Sequence, residues 1–295
     1  MATVAEWVEG ARTRTLPAAV APVVVGTAVA IHVGSGDAVR ALFAAVVALS
    51  LQLGVNFAND YSDGIRGTDD QRVGPMRLVG SGVATPKQVR TAAFACFGAA
   101  GVAGMALILL TEQWWLLPIG VICVLAAWYY TGGERPYGYA GLGELFVFIF
   151  FGLVATIGTT YVQTLTFPAA ALAGGIATGA LASAILVANN LRDRLGDEVA
   201  GKRTLAVRLG DRGTRLFYLG LVVLGVVATI ALAAGTTWWA LLGLLGVGVL
   251  VRPVQGVLGG ADGPALIRVL KLTGIAEVLV SLGVLVGVLI GVGLS

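Results

Sequence analysis

Two stretches of this sequence set amides and carboxylates at helical spacing within an otherwise apolar chain. In NFANDYSDGIRGTDDQRVGPMRLVGSG (56–82), Asn56, Asp60 and Asp63 fall at i, i+4 and i+7. In NNLRDRLGDEVAGKRTLAVRLG (189–210), Asn190, Asp193 and Asp197 fall at i, i+3 and i+7. Each trio shares one face of a helix with 3.6 residues per turn. Carboxylates on apolar helices are costly unless they face a polar cavity and have partners, so two matched clusters predict a site. Their common ligand is a hard cation: Mg²⁺ takes oxygen ligands and is usually held by one or two carboxylates together with substrate phosphates. Asp60, Asp63, Asp193 and Asp197 are the candidate metal ligands, and Asp69 is a further candidate for the first cluster. A single such aspartate would be read as a helix cap paired with an arginine, but two clusters with one order favour the site. Nearby cations, Arg192, Lys202 and Arg77, suit phosphate oxygens not held by metal. Arg203, Arg208 and Arg212 are read as topological charges.

The elements that position these residues follow from composition. The 295 residues are 57% hydrophobic and 12% charged, against about 25% charged in soluble domains, so the bilayer is the solvent. Charge-free windows at 15–36, 41–59, 91–111 and 113–133 each suit one crossing of roughly 20 residues. Windows 145–191 and 216–251 would make helices of roughly 70 and 54 Å at about 1.5 Å per residue, so each must be a helical hairpin. With the C-terminal run, nine spans are expected near 16–34, 39–58, 88–110, 114–131, 142–163, 167–189, 214–235, 236–251 and 274–294. The fold class is an all-α polytopic bundle of nine transmembrane helices around a central cavity opening near the cytoplasmic face. The 43 glycines allow close helix packing where no hydrophobic force drives association. No linker divides the chain, which reads as one domain over 1–295, its two Asp-rich motifs, 56–70 and 189–202, forming a pseudo-repeat.

In a nine-span chain every basic residue except Arg40 lies before span 1 or in an even-numbered loop. The positive-inside rule then puts the N-terminus in the cytoplasm and the C-terminus outside. The net charge of +3 follows from that bias and does not suggest nucleic-acid binding. Cys96 and Cys123 lie in separate spans and suggest neither a disulfide nor a zinc site. No signal peptide is expected. A third polar island, WYYTGGERPYGYAGLGE (128–144), holds Tyr129, Tyr130, Tyr137, Tyr139 and Glu144. Its tyrosines read either as an interfacial belt or as an aromatic pocket that shields a carbocation. His32 falls at the far end of span 1 and is expected to have no catalytic role.

The two aspartate motifs resemble those of the UbiA superfamily, intramembrane enzymes that join a polyprenyl diphosphate to an aromatic acceptor. ANDYSDGIRGTDD with GPMRLVGSG, the 128–144 loop and NNLRDRLGDEVAGKRTLAVRLG are most similar to its menaquinone branch, as is the opening ARTRTLPAAVAPVVVGTA. The resemblance implies Mg²⁺-dependent transfer of a polyprenyl group to 1,4-dihydroxy-2-naphthoate with loss of CO₂ and diphosphate, giving demethylmenaquinone, in a bacterial plasma membrane. It implies a catalytic set of Asp60, Asp63, Asp193, Asp197 and Lys202. The implied substrate-binding set is Asn56, Asn59, Asn190, Arg192, Arg77, Arg14, Tyr130 and Tyr137, of which Arg14, Arg77 and Tyr130 are candidates for the acceptor carboxylate. The family's usual first motif has an aspartate where this chain has Gly64, which leaves Asp63 and Asp69 as alternatives for direct metal binding. Two alternatives remain: another acceptor such as 4-hydroxybenzoate, or a transporter with a carboxylate-lined site, whose carboxylates would be expected nearer the midplane.

Overall fold

A computed structural model describes residues 2–67 and 76–294, and every regular element in it is helical. The candidate Asp69 lies outside the described residues. The elements are α1 (Val4–Gly10), α2 (Pro17–His32), α3 (Ala38–Ile65), α4 (Pro86–Thr111), α5 (Leu116–Tyr129), α6 (Gly143–Thr164), α7 (Ala169–Val199), α8 (Leu205–Ala234), α9 (Trp238–Leu258) and α10 (Gly263–Gly293). Among the described residues, seven helices are long and apolar enough to cross a membrane, or eight if the segment Val4–Thr15 and α2, bent by 52°, form one span. The chain is therefore a multi-pass membrane protein. The expected span at 114–131 corresponds to α5, which is apolar but shorter than those seven.

Local chemistry sets the helix starts. Asp37 caps α3 by accepting from Val39 N and Arg40 N, and Thr85 and Gln88 form a capping box ahead of α4, with Pro86 at its first position. Helix α9 departs from the expected form: Trp238–Leu250 is a 3₁₀ stretch, continued by an α-helical Val251–Leu258. The expected span at 236–251 thus extends through a second helical segment. Helices α3 and α7 also run past the expected ends of their spans, so Asn56, Asp60 and Asp63 on one and Asn190, Asp193 and Asp197 on the other all lie inside helices.

The hub of the bundle is α7: 78% of its apolar window is buried, against 17% for α3. Its small residues make this possible. A Cβ added at Gly152 would lie 2.4 Å from Gly179 Cα, so α6 and α7 touch backbone to backbone. The same holds for Gly283 of α10, whose Cβ would come within 2.7 Å of Gly243 Cα in α9. By contrast, α5 buries none of its residues. It forms a thin wall of a cavity of about 1530 Å³ that extends among α3, α4, α5 and α6 to the ends of α3 and α7.

Candidate active site

Asp63 is the meeting point of the polar end of this cavity. It lies two turns beyond Asn56 on α3 and is 4% exposed. Lys202 Nζ stands 3.3 Å from its Oδ1 and Arg77 Nη2 is 3.8 Å from its Oδ2. Tyr139 donates its hydroxyl to Oδ1, and the Tyr139 ring carries Lys202 Nζ 4.6 Å from its centroid. Lys202 also joins the two motifs, because its backbone N–H donates to Asp197 O at 2.8 Å. The helix-ending turn after α7 therefore delivers the ammonium of the second motif to the carboxylate of the first.

On α7, Arg192 forks onto Asp193 with Nε–Oδ1 and Nη2–Oδ2 distances of 2.7 Å each, and its Nη2 donates to Asn189 Oδ1 at 2.9 Å. Such bidentate pairs are among the stronger ionic contacts. Asp63, Arg77, Asn190, Arg192, Asp193, Asp197 and Lys202 all line the one cavity. Thus the structure brings together most of the residues that helical spacing selected.

Asp60 is placed differently. It is fully buried, does not line the cavity, and accepts from Leu78 N at 2.8 Å and Val79 N at 3.0 Å. Its carboxylate pins the 78–81 turn that carries Arg77. This turn also accounts for Gly64, since a Cβ there would meet Val79 Cγ1 at 2.4 Å. A side chain where the usual family motif has its last aspartate would require Val79 to shift. Asp60→Ala should leave the buried Leu78 N–H unpaired at about 1–3 kcal/mol and free the part-buried Val79 N–H at a smaller cost. Its thermal midpoint in detergent should fall, and trypsin should cut after Arg77 faster than in the parent protein. Unchanged proteolysis would refute this anchoring role.

The asparagine amides are also engaged. Asn56 Nδ2 donates to Ala11 O at 2.9 Å and Thr15 Oγ1 at 3.0 Å, while its Oδ1 accepts from Gln52. Asn59 Oδ1 accepts from Thr131 Oγ1 at 2.7 Å. Both line the cavity, but these contacts tie α3 to the N-terminal segment and to the loop after α5. Arg14 lines the cavity too. Tyr130, Tyr137, Phe146 and Phe150 form an aromatic row along its wall, with successive centroids 5.5, 4.1 and 5.9 Å apart. The Tyr137 hydroxyl is spent on Ala126 O at 2.8 Å. The Tyr130 hydroxyl, like that of any protonated tyrosine, can donate a hydrogen bond.

Two residues escaped the sequence reading as parts of the site. Tyr139, read there only as one tyrosine of a belt or pocket, reaches Asp63. Glu144, given no role, accepts from Asn190 Nδ2 at 2.8 Å. Their only signal in the sequence was membership of the polar 128–144 island.

No group of three or more acidic, histidine or cysteine side chains among the described residues is close enough to enclose a cation. The donor set nevertheless suits Mg²⁺ in kind: Asp63, Asp193 and Asp197 are hard oxygen donors on one cavity, and Asp63 and Asp193 are balanced by Lys202, Arg77 and Arg192. An aspect of the arrangement follows directly. A wide apolar cavity ends in a dense patch of carboxylate and cation, which suits a long lipid with a multiply charged anionic head.

This chain belongs to the UbiA prenyltransferase family, whose pattern it matches over residues 19–272. It is similar to the 1,4-dihydroxy-2-naphthoate octaprenyltransferase of Mycobacterium tuberculosis, with 51% identity covering 96% of this chain and 97% of that one. The Escherichia coli protein of the same name is 36% identical, covering 90% and 89% of the two chains. The fold is also that of a UbiA homologue from Aeropyrum pernix K1 (TM-score 0.72, 15% identity, covering 91% of this chain and 97% of that one). A UbiA homologue from Archaeoglobus fulgidus bound to DMAPP and Mg²⁺ aligns with a TM-score of 0.59 at 14% identity, over 97% and 99% of the chains. The chain is a transferase, and family membership leaves the transporter alternative without support.

Proposed function

We propose that this protein transfers a polyprenyl group from a polyprenyl diphosphate to 1,4-dihydroxy-2-naphthoate, with Mg²⁺, releasing diphosphate and CO₂ and yielding the quinol of demethylmenaquinone, which air oxidises to the quinone. The observation that carries the reading is the Lys202 junction, where the cation of the second motif meets Asp63 of the first at the polar end of a long apolar cavity. The volume of about 1530 Å³ exceeds the 300–1,000 Å³ usual for small-ligand pockets, as a polyprenyl tail requires. The naphthoate acceptor rests on the relatives' names.

Asp63, Asp193 and Asp197 would hold the metal, with Asp69 a further ligand. Bound Mg²⁺ would supply charge stabilisation to the departing diphosphate. The chain's own residues do the rest. Lys202, Arg77 and Arg192 bind phosphate oxygens, and the allylic C–O bond breaks with its electron pair passing to the diphosphate. The faces of Tyr130, Tyr137, Phe146 and Phe150 shield the allylic cation from water. The ring carbon bearing the carboxylate bonds to that cation, and loss of CO₂ returns an electron pair to the ring. Asp60, Asn56 and Asn59 hold the walls that carry these groups.

We further place the chain in a bacterial plasma membrane as one domain, 1–295, with the N-terminus cytoplasmic and the C-terminus outside. Nine crossings result if α5 and the bent α1–α2 unit each span. Purified protein given Mg²⁺, an all-trans polyprenyl diphosphate and 1,4-dihydroxy-2-naphthoate should form a decarboxylated, prenylated naphthoquinol, detected by mass spectrometry as such or as its air-oxidised quinone and abolished by EDTA. Preference for 4-hydroxybenzoate would overturn the acceptor.

A further inference from the structure

Asn190 is an amide whose orientation is set from behind. Its Nδ2 donates to Glu144 Oε1 at 2.8 Å, and Ser183, two turns earlier on the same face of α7, donates to Glu144 O at 3.1 Å. Glu144 is 4% exposed, and its other carboxyl oxygen has no partner among the described residues. It stands in the first turn of α6, immediately ahead of the π-helical stretch Phe148–Val154, a distortion often found at functional sites. The Tyr130 ring packs over this turn, since a Cβ at Gly143 would come within 3.2 Å of Tyr130 Oη. The protein therefore spends a buried carboxylate and two contacts from α7 on fixing one amide at the cavity wall.

With Nδ2 turned to Glu144, Asn190 offers its Oδ1 to the cavity, and none of the described residues donates to that oxygen. A carbonyl oxygen only accepts hydrogen bonds. The oxygens of a diphosphate also only accept, so this oxygen cannot hydrogen-bond to one directly. A hydroxyl does suit it, and the aromatic row from Tyr130 to Phe150 lies along the same wall to receive a ring.

We propose that Glu144 is a positioning residue that holds Asn190 Oδ1 toward the cavity to accept the hydroxyl hydrogen of the aromatic co-substrate. The proposal rests on the prenyl-transfer reading above and deepens it by assigning the subsite for the acceptor's hydroxyl. A buried acceptor built for a hydroxyl discriminates against a ligand that lacks the donor, because the site's own polar group is then left unpaired.

The test compares the parent protein with Asn190→Ala, Glu144→Met and Glu144→Gln. KM is measured separately for the polyprenyl diphosphate and for 1,4-dihydroxy-2-naphthoate, and inhibition constants are measured for the two monomethyl ethers of the naphthoate. The parent should bind the dihydroxy compound at least roughly tenfold more tightly than one of the ethers. Asn190→Ala and Glu144→Met should raise the naphthoate KM by a similar factor and shrink that discrimination to within about twofold, with the diphosphate KM little changed. Glu144→Gln, whose amide oxygen can accept from Asn190 Nδ2, should restore both. A rise in diphosphate KM or Mg²⁺ requirement with ether discrimination intact would overturn the proposal, and would assign Asn190 to the diphosphate side. If Glu144→Met does not fold, Asn190→Ala and Glu144→Gln decide the matter. A parent protein that makes no prenylated naphthoquinol or its air-oxidised quinone would instead refute the prenyl-transfer reading itself, while one that does so without discriminating the ethers would refute only this subsite.

Discussion

Asp63→Asn is expected to lower kcat/KM for prenyl transfer by roughly a thousandfold, about 4 kcal/mol of transition-state stabilisation. Three polar side chains, two of them cationic, converge on this one carboxylate. Lys202 approaches at 3.3 Å, Arg77 at 3.8 Å, and Tyr139 donates a hydroxyl. Asparagine keeps the volume and one acceptor oxygen but removes the charge that collects these groups. Two effects then act together. A carboxylate is lost from the donor set, and the two cations are left close to one another in a site where charge is poorly screened. Because the departing diphosphate gains negative charge at the transition state, most of the loss should fall on kcat. The measurement is steady-state turnover with both substrates varied, alongside size-exclusion profiles that report an intact fold. Retention of more than a tenth of the parent activity would remove Asp63 from the centre of the site.

The positions of these groups were partly legible in the chain. Helical spacing alone put Asp63, Asp193 and Asp197 on cavity-facing sides of α3 and α7, because period 3.6 holds wherever the helix continues. It selected Asp60 with equal force, yet that carboxylate turns to the backbone of Leu78 and Val79. Periodicity fixes the face of a helix but not which distant N–H groups the fold brings to it. The contribution of the 128–144 loop was hidden for a related reason. Arg203 N donates to Tyr139 O at 2.9 Å, and Arg66 grips the carbonyls of Thr131 and Gly133, contacts between segments far apart in sequence. Apolar run lengths located α4 and α5 closely. They did not reveal the 3₁₀ form of α9, along which Gly243 packs tightly against Gly283.

Asp193→Ala combined with Arg192→Met should separate stability from chemistry at the second motif. Arg192 and Asp193 are 3% and 10% exposed and form two contacts of 2.7 Å. Removing the carboxylate alone strands a buried guanidinium whose other polar contact among the described residues is the Asn189 amide. Breaking a buried pair in this way typically costs about 3–5 kcal/mol, whereas replacing both partners by apolar groups can be near neutral. Asp193→Ala should therefore unfold at a distinctly lower temperature than the parent, and adding Arg192→Met should recover much of that loss. Activity should behave oppositely. The double variant should remain as inactive as Asp193→Ala, down by roughly a thousandfold, because the second substitution restores no oxygen donor for the metal and removes a cation suited to phosphate. A double-mutant cycle on thermal midpoint and on kcat/KM measures both. If activity returned together with stability, Asp193 would be a structural partner of Arg192 and the metal role would pass to Asp63 and Asp197. If neither returned, the Arg192 side chain would be needed for packing in its own right, through its aliphatic stem as well as its charge.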